Sequence, residues 1–198
     1  MAEQTINVLR TVDDRVIPVA GVYEIDAPHT SVEFVGRHLM ITKVRGRFSG
    51  VRGQITIAED PTDSHVEVEI DVASVSTGND DRDAHLKSGD FFDVEHYSTI
   101  TFASTAVKAL RDNTWEGAGD LTVHGTTKPV TLQVDFDGGG ASPMGDERIG
   151  FSAATEVNRE DFGLTWNVAL ETGGILVGKS ARIELAVQAI ATNKAAVA

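Results

Sequence analysis

Cysteine is absent from this chain of 198 residues, which excludes disulfides, thiolate metal ligands and a cysteine nucleophile. That absence fits a reducing compartment without demanding one. Basic residues are scarce beside acidic ones, 17 against 30, and the net charge of −13 repels nucleic acid and anionic membrane surfaces unless basic residues cluster. No basic block appears along the chain. Long hydrophobic runs are missing as well: nothing approaches the roughly 20 apolar residues of a membrane-spanning helix. The opening MAEQTINVLRTVDDRVIPVAG has no basic start followed by an apolar stretch, so the sequence predicts no secretory signal and cytoplasmic residence.

Familiar chemical signatures are also missing. There is no GxSxG elbow, no HExxH and no dinucleotide fingerprint after a strand, so the sequence points to no cofactor and no metal. A chain of this length makes one domain with a continuous core.

What is present is alternation. In HVEVEID, Val66, Val68 and Ile70 point one way while His65, Glu67, Glu69 and Asp71 point the other, the period of a strand wet on one face. PVTLQVDFD and ARIELAVQA read the same way, which indicates antiparallel pairing. With the less regular VYEI, TSVEFVGRH, VRGRFSGVRGQITIA, TITFASTAV, EGAGDLTVHG and RIGFSAATEVN, there are roughly eight to ten strands at the spacing of sandwiches and barrels. The run TGNDDRDAHLKSGDFF predicts one helix of about three turns, capped by Asn79, Asp80 and Asp81 and stopped at Gly89. A single turn is predicted at Glu160 to Phe162, and GGGASPMG reads as a hairpin loop.

Small residues share strand faces with aromatic ones: Phe151, Ala153, Thr155 and Val157 on one strand, Ile100, Phe102, Ser104 and Ala106 on another. In an eight-stranded antiparallel barrel, small inward residues leave room for one elongated ligand; a tightly filled sandwich fits the pattern equally well.

Five segments carry a resemblance in fixed order: YEIDAPHTSVEF followed by His38, then VRGRFSG, RDAHLKSGDFFDVEHYSTITF, GDLTVHGTTKPV and NREDFGL. From about Gly21 to about Ala191 the chain resembles the YceI-like, lipocalin-like polyisoprenoid-binding family. It departs from the family's pattern at Ser98 and Thr99, where a proline is usual after Tyr97, at Pro28 before His29, and at Thr30 in place of serine. These positions belong to turns and leave an expected cavity untouched.

The resemblance implies an all-β fold, a lipocalin-like elongated eight-stranded antiparallel barrel with one or two short helices packed against it. It also implies non-catalytic binding of a long isoprenoid, a polyprenyl diphosphate or quinone-like lipid, for storage, transport or shielding, often by a homodimer. Residues 1–20 fall outside it, as an associating arm or a disordered extension, with the barrel at 21–191 and a tail at 192–198. The candidate ligand-binding set is Phe34, His38, Phe48, Arg82, His85, Phe102, Phe151, Asn158, Arg159 and Phe162. Within it, Phe34, Phe102 and Phe151 are expected in the cavity wall, and Arg82, His85, Asn158 and Arg159 at its mouth. Phe91 and Phe92 are expected to anchor the helix. The alternative function is a hydrolase or isomerase acting on a lipid in the same cavity, with His85 and Asp83 as its acid-base pair. A metal role for His29, His38 and His85 would need the fold to bring them together; a hydrogen-bonded structural histidine is the simpler expectation. A third class, an interaction protein with no cavity, would use an exposed strand edge.

Overall fold

A computed structural model describes residues 8–111, 113–171 and 173–192. β1 (Leu9–Val12) and β2 (Arg15–Pro18) form a separate hairpin, turned by Asp13 and Asp14, both in the left-handed region that aspartate tolerates. β3 (Gly21–Ile25) runs through a 3-10 turn at Ala27–His29 into β4 (Ser31–His38). β5 (Thr42–Phe48) continues through Ser49 and Gly50 into β6 (Val51–Ile57), and β7 (His65–Asp71) through a 3-10 turn at Val72–Ser74 into β8 (Val75–Ser76). Each of these pairs acts as one kinked strand. β9 (Thr99–Ala109), β10 (Thr114–Val123), β11 (Thr126–Ala141), β12 (Glu147–Asn158) and β13 (Val177–Ala191) complete a meander of eight antiparallel strands.

β13 closes the barrel. It pairs with β12 over its length, with β4 through its first half and with β3 through residues 189–191. The lipocalin-like barrel expected from the resemblance is thus the observed fold. Antiparallel pairing with alternating side chains directs Val66, Val68 and Ile70, and likewise Val130, Leu132, Val134 and Phe136, to the interior.

The meander gives the barrel two unlike ends. At one, here called upper, the β4–β5 turn meets the long connection 159–176, with the Leu39 N–H donating to the Leu176 carbonyl at 2.7 Å. At the lower end sits the β1–β2 hairpin. Arg10 reaches Glu59 at 2.6 Å and the Ala58 carbonyl at 2.5 Å, while Arg15 donates to the Leu110 carbonyl and lies over the Trp115 ring. Val8 and Ile17 are buried there. The expected associating or disordered arm is therefore, over residues 8–18, a hairpin packed on the barrel; residues 1–7 and 193–198 lie outside the described residues.

Three further expectations are corrected. The helix α1 (Asp80–Lys87) is eight residues, nearer two turns than three; Asn79 caps it by accepting from the Arg82 N–H, and it ends before Ser88 rather than at Gly89. The chain turns early there to carry Phe91 and Phe92 inward. Gly138, Gly139 and Gly140 belong to β11, so the loop that follows is only 142–146. In β9 the register against β10 shifts between Ala118 and Gly119, so past Ser104 the inward position passes from Ala106 to Val107.

Candidate functional site

The barrel interior holds two apolar lobes, about 180 Å³ at the lower end and about 220 Å³ at the upper. Ile25, Val68, Phe102, Leu132, Leu185 and Val187 line both, so the lobes meet at a shared waist. Together they reach the lower part of the range of ligand pockets, roughly 300–1,000 Å³. Small residues at the expected positions, Ser104 and Ala153 below and Thr155 above, leave this space open. The Ser104 hydroxyl is already engaged, accepting from the Val66 N–H at 2.8 Å.

The lower lobe is floored by Ile17 and Pro18 of the hairpin together with Pro61 and Trp115. Phe136 and Phe151 face each other in its wall with ring centroids 5.2 Å apart. In the upper lobe, Phe34, Phe48 and Phe92 form a triad with centroids 5.7 to 6.4 Å apart. It lies where the kinked strand β7–β8 leaves β9: on that side β9 is bonded to β7 and not to β8, and the segment after α1 brings Phe91 and Phe92 into the lining. Phe91 and Phe92 therefore line the cavity as well as anchoring the helix.

Among the described residues one charged side chain is buried. Arg159, 7% exposed, lines the upper lobe from the 3-10 turn Arg159–Phe162. Its Nε donates to the Gly178 carbonyl at 2.9 Å, Nη1 to the Leu164 carbonyl and Nη2 to the Val177 carbonyl at 3.4 Å. These carbonyls offset the cost of burying a cation, yet none carries a negative charge. The adjacent Glu160 is held by Lys179 at 2.8 Å. Burial pushes the Arg159 guanidinium below its ordinary value, with Glu160 opposing in part.

Of the ten candidate residues, Phe34, Phe48, Phe102, Arg159 and Phe162 line the upper lobe, Phe102 and Phe151 the lower. The other four stand outside the lining. His38 pairs with Thr42 and Val177 at the upper rim. Arg82 folds back onto the Thr77 hydroxyl and carbonyl at 2.7 and 3.1 Å. Asn158 caps the 3-10 turn, accepting from the Glu160 N–H and donating to Asp161. His85 meets Asp90 at 2.9 Å and packs edge-on to Phe91 and Trp166.

The suggested acid-base pair does not form either. Asp83 accepts from the Thr77 N–H and hydroxyl at 2.7 and 2.5 Å, and His85 turns to Asp90 instead. His29 is bonded to Asp26 at 2.7 Å, at the kink between β3 and β4. Among the described residues no three His, Asp or Glu side chains converge as a metal site, and no helix is long and apolar enough to cross a membrane. The segment GGILVGKS (173–180) has the spacing of a phosphate-binding loop, but Lys179 and Ser180 lie inside β13 with no helix after them, so the spacing carries no phosphate chemistry. Sequence reasoning missed the contribution of Ile17, Pro18, Phe91 and Phe92 to the lining. Only the apolar character of those residues signalled it.

A family profile described as a YceI-like domain matches residues 23–189. A UPF0312 protein of Staphylococcus aureus, strain bovine RF122 / ET3-1, is 38% identical over 167 residues, covering 82% of this chain and 93% of that protein. The crystal structure of the Campylobacter jejuni YCEI protein superposes with a TM-score of 0.68 at 27% identity, over 79% of this chain and 90% of that one. The fold is also that of Burkholderia cenocepacia BcnA, with a TM-score of 0.71 at 22% identity over 83% and 98% of the two chains. A polyisoprenoid binding domain from Saccharophagus degradans shares it too, with a TM-score of 0.66 at 17% identity over 87% and 99%. By the profile that spans its barrel and by its curated relatives, this chain belongs to the YceI-like family.

Proposed function

We propose that the chain binds the tail of an isoprenoid-like lipid along the barrel axis, without turning it over, and holds the head group at the upper end beside Arg159. The observation that carries this reading is the pair of apolar lobes meeting at the Phe102 waist, an elongated space with the buried cation Arg159 toward one end. An apolar tail needs no more than such a space. Each methylene buried contributes about 0.8 kcal/mol, so a five-carbon isoprene unit contributes about 3 to 4 kcal/mol before ordering costs. Arg159 is bonded to carbonyl oxygens and, among the described residues, to no carboxylate, so a phosphate or quinone oxygen that displaced one of those carbonyls would meet a cation with no anionic partner of its own. The description of the Saccharophagus degradans relative as a polyisoprenoid binding domain supports the same ligand class.

The test is mass spectrometry of an organic extract from freshly purified protein, beside an unrelated protein as blank. A stoichiometric tailed lipid is expected. An Ala153→Trp variant, which fills the lower lobe from β12, should keep the strand signature in circular dichroism and lose most of the lipid. Equal lipid in the variant and the parent, or none in either after expression in several hosts, overturns the proposal.

A further inference from the structure

The β4–β5 turn places Leu39, Met40 and Ile41 in the open, with Ile41 78% and Met40 52% exposed. The turn is closed by the Ile41 N–H donating to the His38 carbonyl at 3.0 Å, and Leu39 and Met40 both have φ in the left-handed region, 54° and 58°. Such positions ordinarily go to glycine, asparagine or aspartate. Here the chain sets two large apolar side chains there and projects them into water. Val168 adds to the same surface: its carbonyl accepts from Leu176, whose own carbonyl accepts from Leu39, and Val168 is itself exposed.

On the strands beside this tip the charge of the molecule reverses, while the connection that carries Val168 brings Glu160, Asp161 and Glu171. The outer faces of β4, β5 and the first half of β13 carry Arg37, Lys43, Arg45, Arg47, Lys179 and Arg182, six of the 17 basic residues, against Glu33 and Glu184. Arg45 and Arg182 are held by those two glutamates, and Lys179 by Glu160. Arg37 and Lys43, paired across the strands directly below the tip, are exposed and form no ion pair among the described residues. The acidic start of α1 lies toward the other end of β5, where β8 pairs with Arg47 and Phe48 and Thr77, bonded to Asp83, approaches Gly46. A chain of net charge −13 thus gathers a basic face, with Arg37, Lys43, Arg45 and Arg47 from within eleven residues of sequence and Lys179 and Arg182 brought beside them by β13.

The geometry points to an anionic lipid bilayer as the partner of this end, with Leu39, Met40 and Ile41 entering the headgroup region and Arg37 and Lys43 meeting lipid phosphates. A tip of four apolar side chains is small for a stable protein interface, whereas shallow insertion together with cationic attraction is how peripheral proteins hold a membrane. The site adjoins the upper lobe, since Gly36, Val177 and Gly178 line that lobe and continue into the turn and its neighbour. Resting on the reading of the barrel as a lipid-tail carrier, the docking would set the cavity mouth against the membrane that supplies or receives the lipid.

Co-sedimentation of the full chain with vesicles tests this. Attachment is expected to vesicles of phosphatidylcholine mixed with phosphatidylglycerol, and to be weak on phosphatidylcholine alone and at high salt. Each basic contact contributes about fivefold in binding, so Arg37→Glu with Lys43→Glu, which removes two, should weaken attachment by about 25-fold or more. Met40→Ser with Ile41→Ser, which leaves the charges in place, should also weaken it, with unchanged circular dichroism as the folding control. Equal attachment to neutral and anionic vesicles, or no effect of either double variant, overturns the proposal. So does binding of the basic face to a duplex oligonucleotide with no vesicle attachment. A protein that fails to attach yet still yields a tailed lipid on extraction overturns the docking alone, whereas attachment by a protein that carries no lipid supports the docking and counts against the tail-carrier reading.

Discussion

Phe102 lies at the waist of the cavity because residue 119, its neighbour on β10, has no side chain. A Cβ built at Gly119 would stand 2.5 Å from the Phe102 ring and 2.6 Å from the Ala103 carbonyl oxygen, too close on both sides. The ring occupies the space that a side chain would take, and the register shift beside Gly119 seats it there. Gly119→Ala must move either β9 or Phe102. Overpacking of this kind costs about 1–3 kcal/mol, which for a domain of this size lowers the melting temperature by roughly 2–4 °C per kcal/mol. Thermal unfolding followed by circular dichroism measures the cost, and the same variant should bind less lipid because the waist narrows. An unchanged melting temperature would mean that the ring is free to yield. Gly46 stands in the same relation to Phe34 in the upper lobe, where a Cβ would fall 2.3 Å from that ring. Two glycines thus place two of the aromatic wall residues.

The segment from Asp80 to Ser98 shows what an element contributes beyond its residues: a short capped helix, then a strap that carries Phe91 and Phe92 into the lining. The strap is fastened where Asp93, itself at a left-handed φ, accepts from the His96 and Tyr97 N–H groups while its carboxylate takes the His96 Nδ1–H at 2.9 Å. The hydrogen bond to Asp93 raises the His96 pKa above its ordinary 6.5, the charges of Asp93 and Glu95 adding to it and desolvation opposing. A group raised on folding stabilises fully below its unfolded pKa and loses that contribution as pH rises through the folded value. His96→Gln should therefore lower the melting temperature at about pH 5.5 and leave it unchanged at about pH 8.5. The drop should be small, because the ring is well exposed; an equal drop at both pH values would show that packing, not charge, fastens the strap. Elements of this kind differ in how far their sequence reveals them. The wet-faced strands β7, β11 and β13 were legible from alternation, and the α1 cap from Asn79, since both signals are local. The β1–β2 hairpin was not, because two four-residue strands joined through Asp13 and Asp14 lack the glycine that marks such turns. The β9 bulge leaves no compositional trace. At the candidate site, the phenylalanines on strands were readable from period, whereas Arg82 and His85 depend on which side of α1 meets the barrel, a tertiary fact. The basic face is half legible: Arg37, Lys43, Arg45 and Arg47 lie within eleven residues, whereas Lys179 and Arg182 join them only through the pairing of β13 with β4.

Across the whole molecule the two ends of the barrel differ in construction, and that difference bears on which tails can fit. The upper end is framed by Arg159, the basic strands and the apolar turn. At the lower end a hairpin that precedes the family-matched residues 23–189 packs across part of the opening. Ile17 is 3% exposed and, with Pro18, forms part of the floor. Arg10 and Arg15 fasten the hairpin to the loops that follow β6 and β9, and its own backbone continues the closure where the Val19 N–H donates to the Val8 carbonyl at 2.9 Å. On the proposed function, a floor fixed in this way would limit the length of a tail entering from above. Removing residues 1–18 should leave the eight strands hydrogen-bonded as before, because none of their pairings involves β1 or β2. It should open the lower lobe to solvent. The expected result is an extract shifted toward longer tails than those of the full chain, with the strand signature in circular dichroism retained and melting a few degrees lower from loss of the buried Ile17 and Val8 contacts. Ile17→Ser in the intact hairpin separates floor from fastening: it lowers stability while the tail-length distribution stays that of the full chain. Identical distributions from the full and shortened proteins would show that tail length is set at the waist around Phe102, and that the hairpin protects the cavity from water without measuring what it holds.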